Sequence, residues 1–144
     1  MATSREGARK ALAALLTAQA GADKAISVVY DHLPGDFGKR NRVVCVSSAG
    51  SERRQRLGCN ELDALVNVDV FVRYAVDANW TRADAEDVLD AIEAVVAGVV
   101  MDTASASWDS ATYVGPTRIG QIETLGGDAY INETISVRLE RLAA

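Results

Sequence analysis

His32, the only histidine in the chain, follows Asp31 and precedes a Leu33-Pro34-Gly35 turn. An imidazole beside a carboxylate is the beginning of a proton-transfer pair, and any Ser/His/Asp or Cys/His device would have to use it. No Gly-x-Ser-x-Gly nucleophile elbow accompanies it. His32 is therefore expected to be an exposed loop residue, with no catalytic role. Metal chemistry has as little to work with. Cys45 and Cys59 are too far apart for a Cys-x-x-Cys pair, and there is no His-x-x-x-His pair or calcium-loop pattern. Asp84, Asp87, Asp90 and Glu93 recur every three residues. Such a row can hold a divalent ion, but near a helix start it also complements the dipole and faces solvent. No glycine-rich loop joins a strand to a helix, so a nucleotide phosphate has no cradle. The expectation is no enzyme, no metal and no cofactor.

The densest basic cluster is Arg53, Arg54 and Arg56, with Lys39, Arg40 and Arg42 forming a smaller one. No aromatics interleave with them, so base stacking is not suggested. The net charge of −5 also argues against a broad grip on phosphates, which needs Lys and Arg to displace counterions. The cluster reads as a contact arm for an acidic protein surface. The plainer alternative is a solvated loop that keeps an edge strand from mispairing.

The elements that must carry these groups show in the hydrophobic periodicity. Val66, Val68, Val70, Val72, Tyr74 and Val76 alternate with Asn67, Asp69, Phe71, Arg73 and Ala75. Ile131, Glu133, Ile135, Val137 and Leu139 alternate in the same way with Tyr130, Asn132, Thr134, Ser136 and Arg138. Period-two patterns of this length predict strands with one face on a core. Shorter strands are expected at 26–30, 43–48, 111–114 and 117–124. The polar stretch 49–58, with the arginines, reads as a protruding hairpin loop, and 34–42 as another loop. A tight turn is expected at Leu125-Gly126-Gly127-Asp128.

A first helix should start near Thr3 or Ser4, with Thr3 and Glu6 spaced as a capping box, and stop at Gly21. Its apolar stripe is Ala8, Ala11, Leu12, Leu15 and Leu16. A second helix over 82–101 has Thr81 as cap, acidic residues in its first turn, and an apolar face from Ala85 to Val99. Trp80 should pack against its start. The fold class that follows is α+β: a mixed or antiparallel sheet of about five strands, packed by two main helices, in the order α-β-β-β-α-β-β. Residues 1–144 fit a single domain. Two cysteines in a chain with an adequate core point to a reduced intracellular state. There is neither a secretory leader nor a run of ~20 apolar residues, so no membrane partner is expected.

This order of elements, with the 66–73 strand, the Ala-Asp-Ala-Glu-Asp-Val-Leu-Asp-Ala-Ile-Glu-Ala helix and the closing Tyr-Ile-Asn-Glu-Thr-Ile-Ser-Val-Arg-Leu strand, resembles the tail terminator, or tail completion, proteins of long-tailed bacteriophages of the lambda type. The resemblance covers nearly the whole chain and lies in element order, size and texture. It implies a virion protein of the tail or neck, assembled in the host cytoplasm. Such a protein caps the tail tube as a hexameric ring, ends tube polymerisation and provides the head-joining surface. Its partners would be further copies of itself, the tail tube protein and a head-completion or connector protein. DNA would pass through the channel without specific binding, which suits an acidic ring. The resemblance puts Arg53, Arg54 and Arg56 in a ring or tube contact loop. In such a ring Phe71, Arg73, Tyr130 and Arg138, on the outer faces of their strands, could meet a neighbouring subunit. The alternatives are another neck component, or a small ligand-binding α+β protein with a pocket near His32 or the Asp87/Asp90 row.

Overall fold

The computed structural model describes residues 3–23, 26–35, 37, 40–56, 59–74, 82–123 and 129–143, and only the backbone of residues 21–23, 56, 59 and 123. Thr81, Trp80, Val76, Lys39 and the 125–128 turn lie outside the described residues, as does the side chain of Arg56. The elements run α1 (Arg5–Asp23), β1 (Val28–Tyr30), β2 (Arg42–Arg56), β3 (Cys59–Tyr74), α2 (Arg82–Asp102), β4 (Trp108–Tyr113), β5 (Arg118–Glu123) and β6 (Ala129–Leu142). The class is α+β, with two helices against a mixed sheet of six strands where about five were expected.

The sheet order is β1-β2-β3-β6-β4, with β5 also paired to β6. Among the described strands only β1 and β2 run parallel; every other pair is antiparallel. β4 and β5 lie end to end on the same side of β6, so the sixth strand is half of a broken edge strand. Between Tyr113–Val137 and Arg118–Thr134 the edge side advances five residues while β6 advances three. Gly115, at φ 71°, takes the left-handed conformation inside this break, and Pro116 follows it.

The valine alternation decides which face is core. Val44, Val46, Val66, Val68, Val70, Val72, Ile131, Ile135, Val137 and Leu139 all point to the helix side and are buried there. α1 lies over β1 and β2, and α2 over β3, β6 and β4. α1 contributes Ala8, Leu12, Ala13 and Leu16; α2 contributes Ala85, Leu89, Ile92, Val96, Val99 and Val100. At roughly 1.5–3 kcal/mol per buried aliphatic side chain, this face holds the fold together. Trp108 opens β4 and is buried in the same core.

The helix starts and stops differ in detail from the sequence reading. Ser4, and not Thr3, caps α1, its Oγ accepting from the Gly7 N–H at 3.0 Å. Glu6 turns to Lys10 instead, at 2.8 Å, which holds its carboxyl below the usual value. α1 also runs past Gly21 to Asp23.

The hairpin is the larger correction. Residues 51–56 are not a loop: β2 continues through them, paired with β3 out to Arg56–Cys59. A bulge between Ser48 and Gly50 interrupts the ladder, and Gly50 supplies the backbone at φ 149°. Apolar periodicity missed this segment because both faces of the tip are polar, whereas pairing through backbone hydrogen bonds needs no apolar alternation.

Candidate interaction faces of the sheet

The face away from the helices carries most of the residues singled out in the sequence. It has three zones. At one end Phe71, Tyr130, Val43 and Cys45 form a small second core under Phe37. Phe37 stacks at 4.7 Å on Phe71 and at 5.1 Å edge-on to Tyr130. The Tyr130 hydroxyl donates to the Arg40 carbonyl at 2.9 Å, tying the backbone at Arg40 across the sheet. The expectation that Phe71 and Tyr130 stand open on an outer face is thereby corrected. They are 5% and 0% exposed, because the segment carrying Phe37 folds back over them. Cys45, a free thiol in this cluster, has its pKa pushed up to about 12 by burial and by the nearby Asp69 charge.

The middle zone is a polar ladder across β3 and β6. Thr134 Oγ1 donates to Asp69 Oδ1 at 2.6 Å, Ser136 Oγ to Asn67 Oδ1 at 3.3 Å, and Asn132 Nδ2 to the Val70 carbonyl at 3.2 Å. All five side chains are half-buried, as cross-strand neighbours on one face should be. Arg73 is half-buried on this face as well.

The third zone, toward the hairpin tip, is an ionic hub around Asp63. Its carboxylate is 2% exposed. Arg54 Nη2 reaches Oδ2 at 3.1 Å and Arg138 Nη1 reaches it at 3.2 Å. Oδ1 accepts from the Arg141 backbone N–H at 3.1 Å. Arg138 also donates to Glu52, so its guanidinium gains two acidic partners that raise its pKa further. Arg141, at φ 53°, is the one described non-glycine residue with positive φ. Its side chain lies 3.4 Å from Glu61 and 3.5 Å from Asp109. Asp63 thus joins β2, β3 and β6 at one point and fixes the bend that ends the β3–β6 ladder. Sequence reasoning missed it, since a lone Asp in Leu62-Asp63-Ala64 gives no signal until three arginines converge on it.

The three arginines of the sequence cluster are not one patch. Past the bulge, Glu52 and Arg54 face the open side opposite Asp63 and Glu61. Arg53 points to the helix side, exposed beside Leu62 and the start of α1. Arg54 is already committed to Asp63.

His32 is exposed, its Nδ1 2.9 Å from Asp31 Oδ1, and the contact lowers the Asp31 pKa. Its ring stands edge-on to Tyr30 at 5.7 Å. Asp87 and Asp90 are exposed and Asp84 and Glu93 half-buried. Among the described residues no cluster of three or more His, Cys, Asp or Glu is placed to hold a metal. No described helix is long and apolar enough to cross a membrane.

The helix side holds one further carboxylate that the sequence reading left among the core positions. Glu133 is 4% exposed between Ile131 and Ile135. Burial raises its pKa, the Glu93 and Asp90 charges on α2 raise it further, and the Thr117 hydroxyl opposes them. Glu93 in turn accepts from the Tyr113 hydroxyl at 2.9 Å, and burial together with that contact pushes the phenol up.

No family model matches the chain, and no curated protein does. Among solved structures, a chain of the virion of a native gene transfer agent particle is similar at a TM-score of 0.53 and 14% identity. The likeness covers 94% of this chain and 94% of that one, so it extends from α1 to β6 and is a likeness of the entire fold.

Proposed function

We propose that this chain is a structural virion protein that caps the tail tube of a phage-like particle as a hexameric ring. In that role it ends tube polymerisation, offers the surface to which the head joins, and acts without catalysis. The observation carrying the proposal is the fold shared along 94% of both chains with a component of the gene transfer agent virion. The architecture supports it. A sheet armoured by helices on one face and, beyond the small core under Phe37, polar on the other suits a wall repeated around an axis. A net charge of −5 lets DNA pass such a wall without adhering. The tail tube protein and a head-completion or connector protein are the partners this reading requires. Arg53, Arg54, Arg56, Arg73 and Arg138 remain its candidate contact residues.

Negative-stain imaging at high protein concentration, with and without tail tubes, combined with solution mass, tests the reading. Sixfold rings with an open channel, seated at one end of the tubes, are expected. Twelvefold rings would move the chain to the connector side of the neck. A monomer that never decorates tubes would sink the ring altogether.

A further inference from the structure

The sheet ends, among the described residues, in two edges with no further strand on them, and their chemistry matches. Among the described residues β5 pairs only with β6, so its other side carries unpaired N–H and C=O groups. Five large apolar side chains are exposed in the described chain, and Val114, Ile119 and Ile122 lie on or just before this edge. Edge strands are usually guarded by Lys, Pro or a bulge. Here the guard stops at Pro116, and β5 itself presents an isoleucine on each face. Ile119, opposite Glu133, lies on the helix side at 55% exposure; Ile122, opposite Tyr130, lies on the open side at 37%.

The far edge is β1. Val29 packs toward the helices, while Val28 and Tyr30 pack toward the open face. Beside it α1 leaves an open groove of about 680 Å³, lined by Ala13, Ala14, Ala18, Val29 and Tyr30 among others. The pairing order makes β1 and β5 run in opposite directions. Two copies placed edge to edge, with helices on the same side, therefore bring β5 and β1 together as an antiparallel pair. Ile119 then falls toward the α1 groove and Ile122 toward Val28 and Tyr30. The same alignment brings Arg118, at the leading end of β5, toward Asp31, which follows β1.

We infer that the β5 edge of one copy docks on the β1–α1 edge of the next, making the head-to-tail contact of the ring. The inference rests on the ring reading above and names the two surfaces that reading leaves open. A heterologous contact of this kind closes into a ring when the rotation permits.

Sedimentation across a concentration series tests it, using the full chain and the double variant Ile119→Lys/Ile122→Lys. Both positions are exposed, so circular dichroism should show an unchanged fold. The concentration for half-assembly should rise at least about tenfold. A second arm mixes Ile119→Cys with Ala14→Cys, each in a Cys59→Ser background, and oxidises the mixture. A disulfide-linked dimer that neither protein forms alone is expected. Rings that assemble with an unchanged midpoint in the lysine variant, and no linked dimer, would overturn the edge assignment while the ring reading stands. A wild-type chain that stays monomeric, alone and on tubes, would overturn both.

Discussion

Asp63 and Glu133 are the two charged side chains buried among the described residues, and they occupy opposite faces of one sheet. Asp63, on the open face, has both oxygens engaged: two guanidinium groups on one and a backbone N–H on the other. Glu133, on the helix face, has one hydroxyl in its favour and two acidic neighbours against it. Burial is nearly equal, so partners make the difference. A buried charge with its lone pairs filled becomes a joint between strands; one without them is a site the fold tolerates. The open face is thus ordered by specific polar contacts and the helix face by apolar area, with Glu133 as the exception.

Removing the joint is the harshest way to break this contrast. Asp63→Ala strands Arg54 and Arg138 without their shared acceptor and leaves the Arg141 N–H unpaired beside a positive-φ bend. The two arginines are partly solvated, which softens the loss. Urea denaturation should still show a destabilisation of about 3 kcal/mol, at the lower end for breaking a buried pair. Asp63→Asn, which keeps an oxygen for the Arg141 N–H, should cost visibly less. Equal losses would mean that the backbone contact adds nothing.

The same contrast explains what was legible in the sequence. The helix face was readable because apolar area is encoded locally: Val66 to Val72 and Ile131 to Leu139 announce their strands by alternation alone. The open face depends on residues far apart in the chain. Arg138 meets Asp63 across 75 positions, and Tyr130 meets the Arg40 carbonyl across 90. No local pattern encodes such meetings, so Phe71 read as an outward residue; the hairpin tip is local, but polar on both faces, and read as a loop. Phe37, in a Gly- and Pro-rich segment, gave no sign that it would return to cover Phe71. The runs 111–114 and 117–124 were both legible; they are β4 and β5, the two halves of one broken edge strand, which a count of about five takes as one.

Glu133→Gln sharpens the comparison from the other side. A folded-state pKa raised above the ordinary 4.5 means that the native protein holds its proton more tightly than the unfolded chain does. That contribution is complete below pH 4.5 and is lost as the pH rises through the folded value. Glutamine has no proton to lose and keeps an acceptor for Thr117. The variant should therefore gain stability over the wild type as the pH climbs through this window. It should level off once the pH has passed the folded value. Melting at pH 4, 5, 6 and 7 reads this difference directly, with other titrations cancelling between the two proteins. A gain that ran the other way, largest in acid, would show that Glu133 is held as a carboxylate by partners on α2.

The smallest effect tests whether Glu93 takes part in that unfavourable field. The Tyr113 hydroxyl holds Glu93 at 2.9 Å, on the side of α2 that faces Glu133. Tyr113→Phe removes the hydrogen bond at a half-buried site where water can replace it, so the loss in thermal denaturation should be about 0.5 kcal/mol. Its coupling to Glu133→Gln carries the information. If the phenol stabilises a charged Glu93 that repels Glu133, part of the loss in the wild type is offset by relief of that repulsion. In the Glu133→Gln background this offset is gone, and Tyr113→Phe should cost more. Strict additivity in the double-mutant cycle would separate the two carboxylates and leave burial, with Asp90, as the cause of the Glu133 shift.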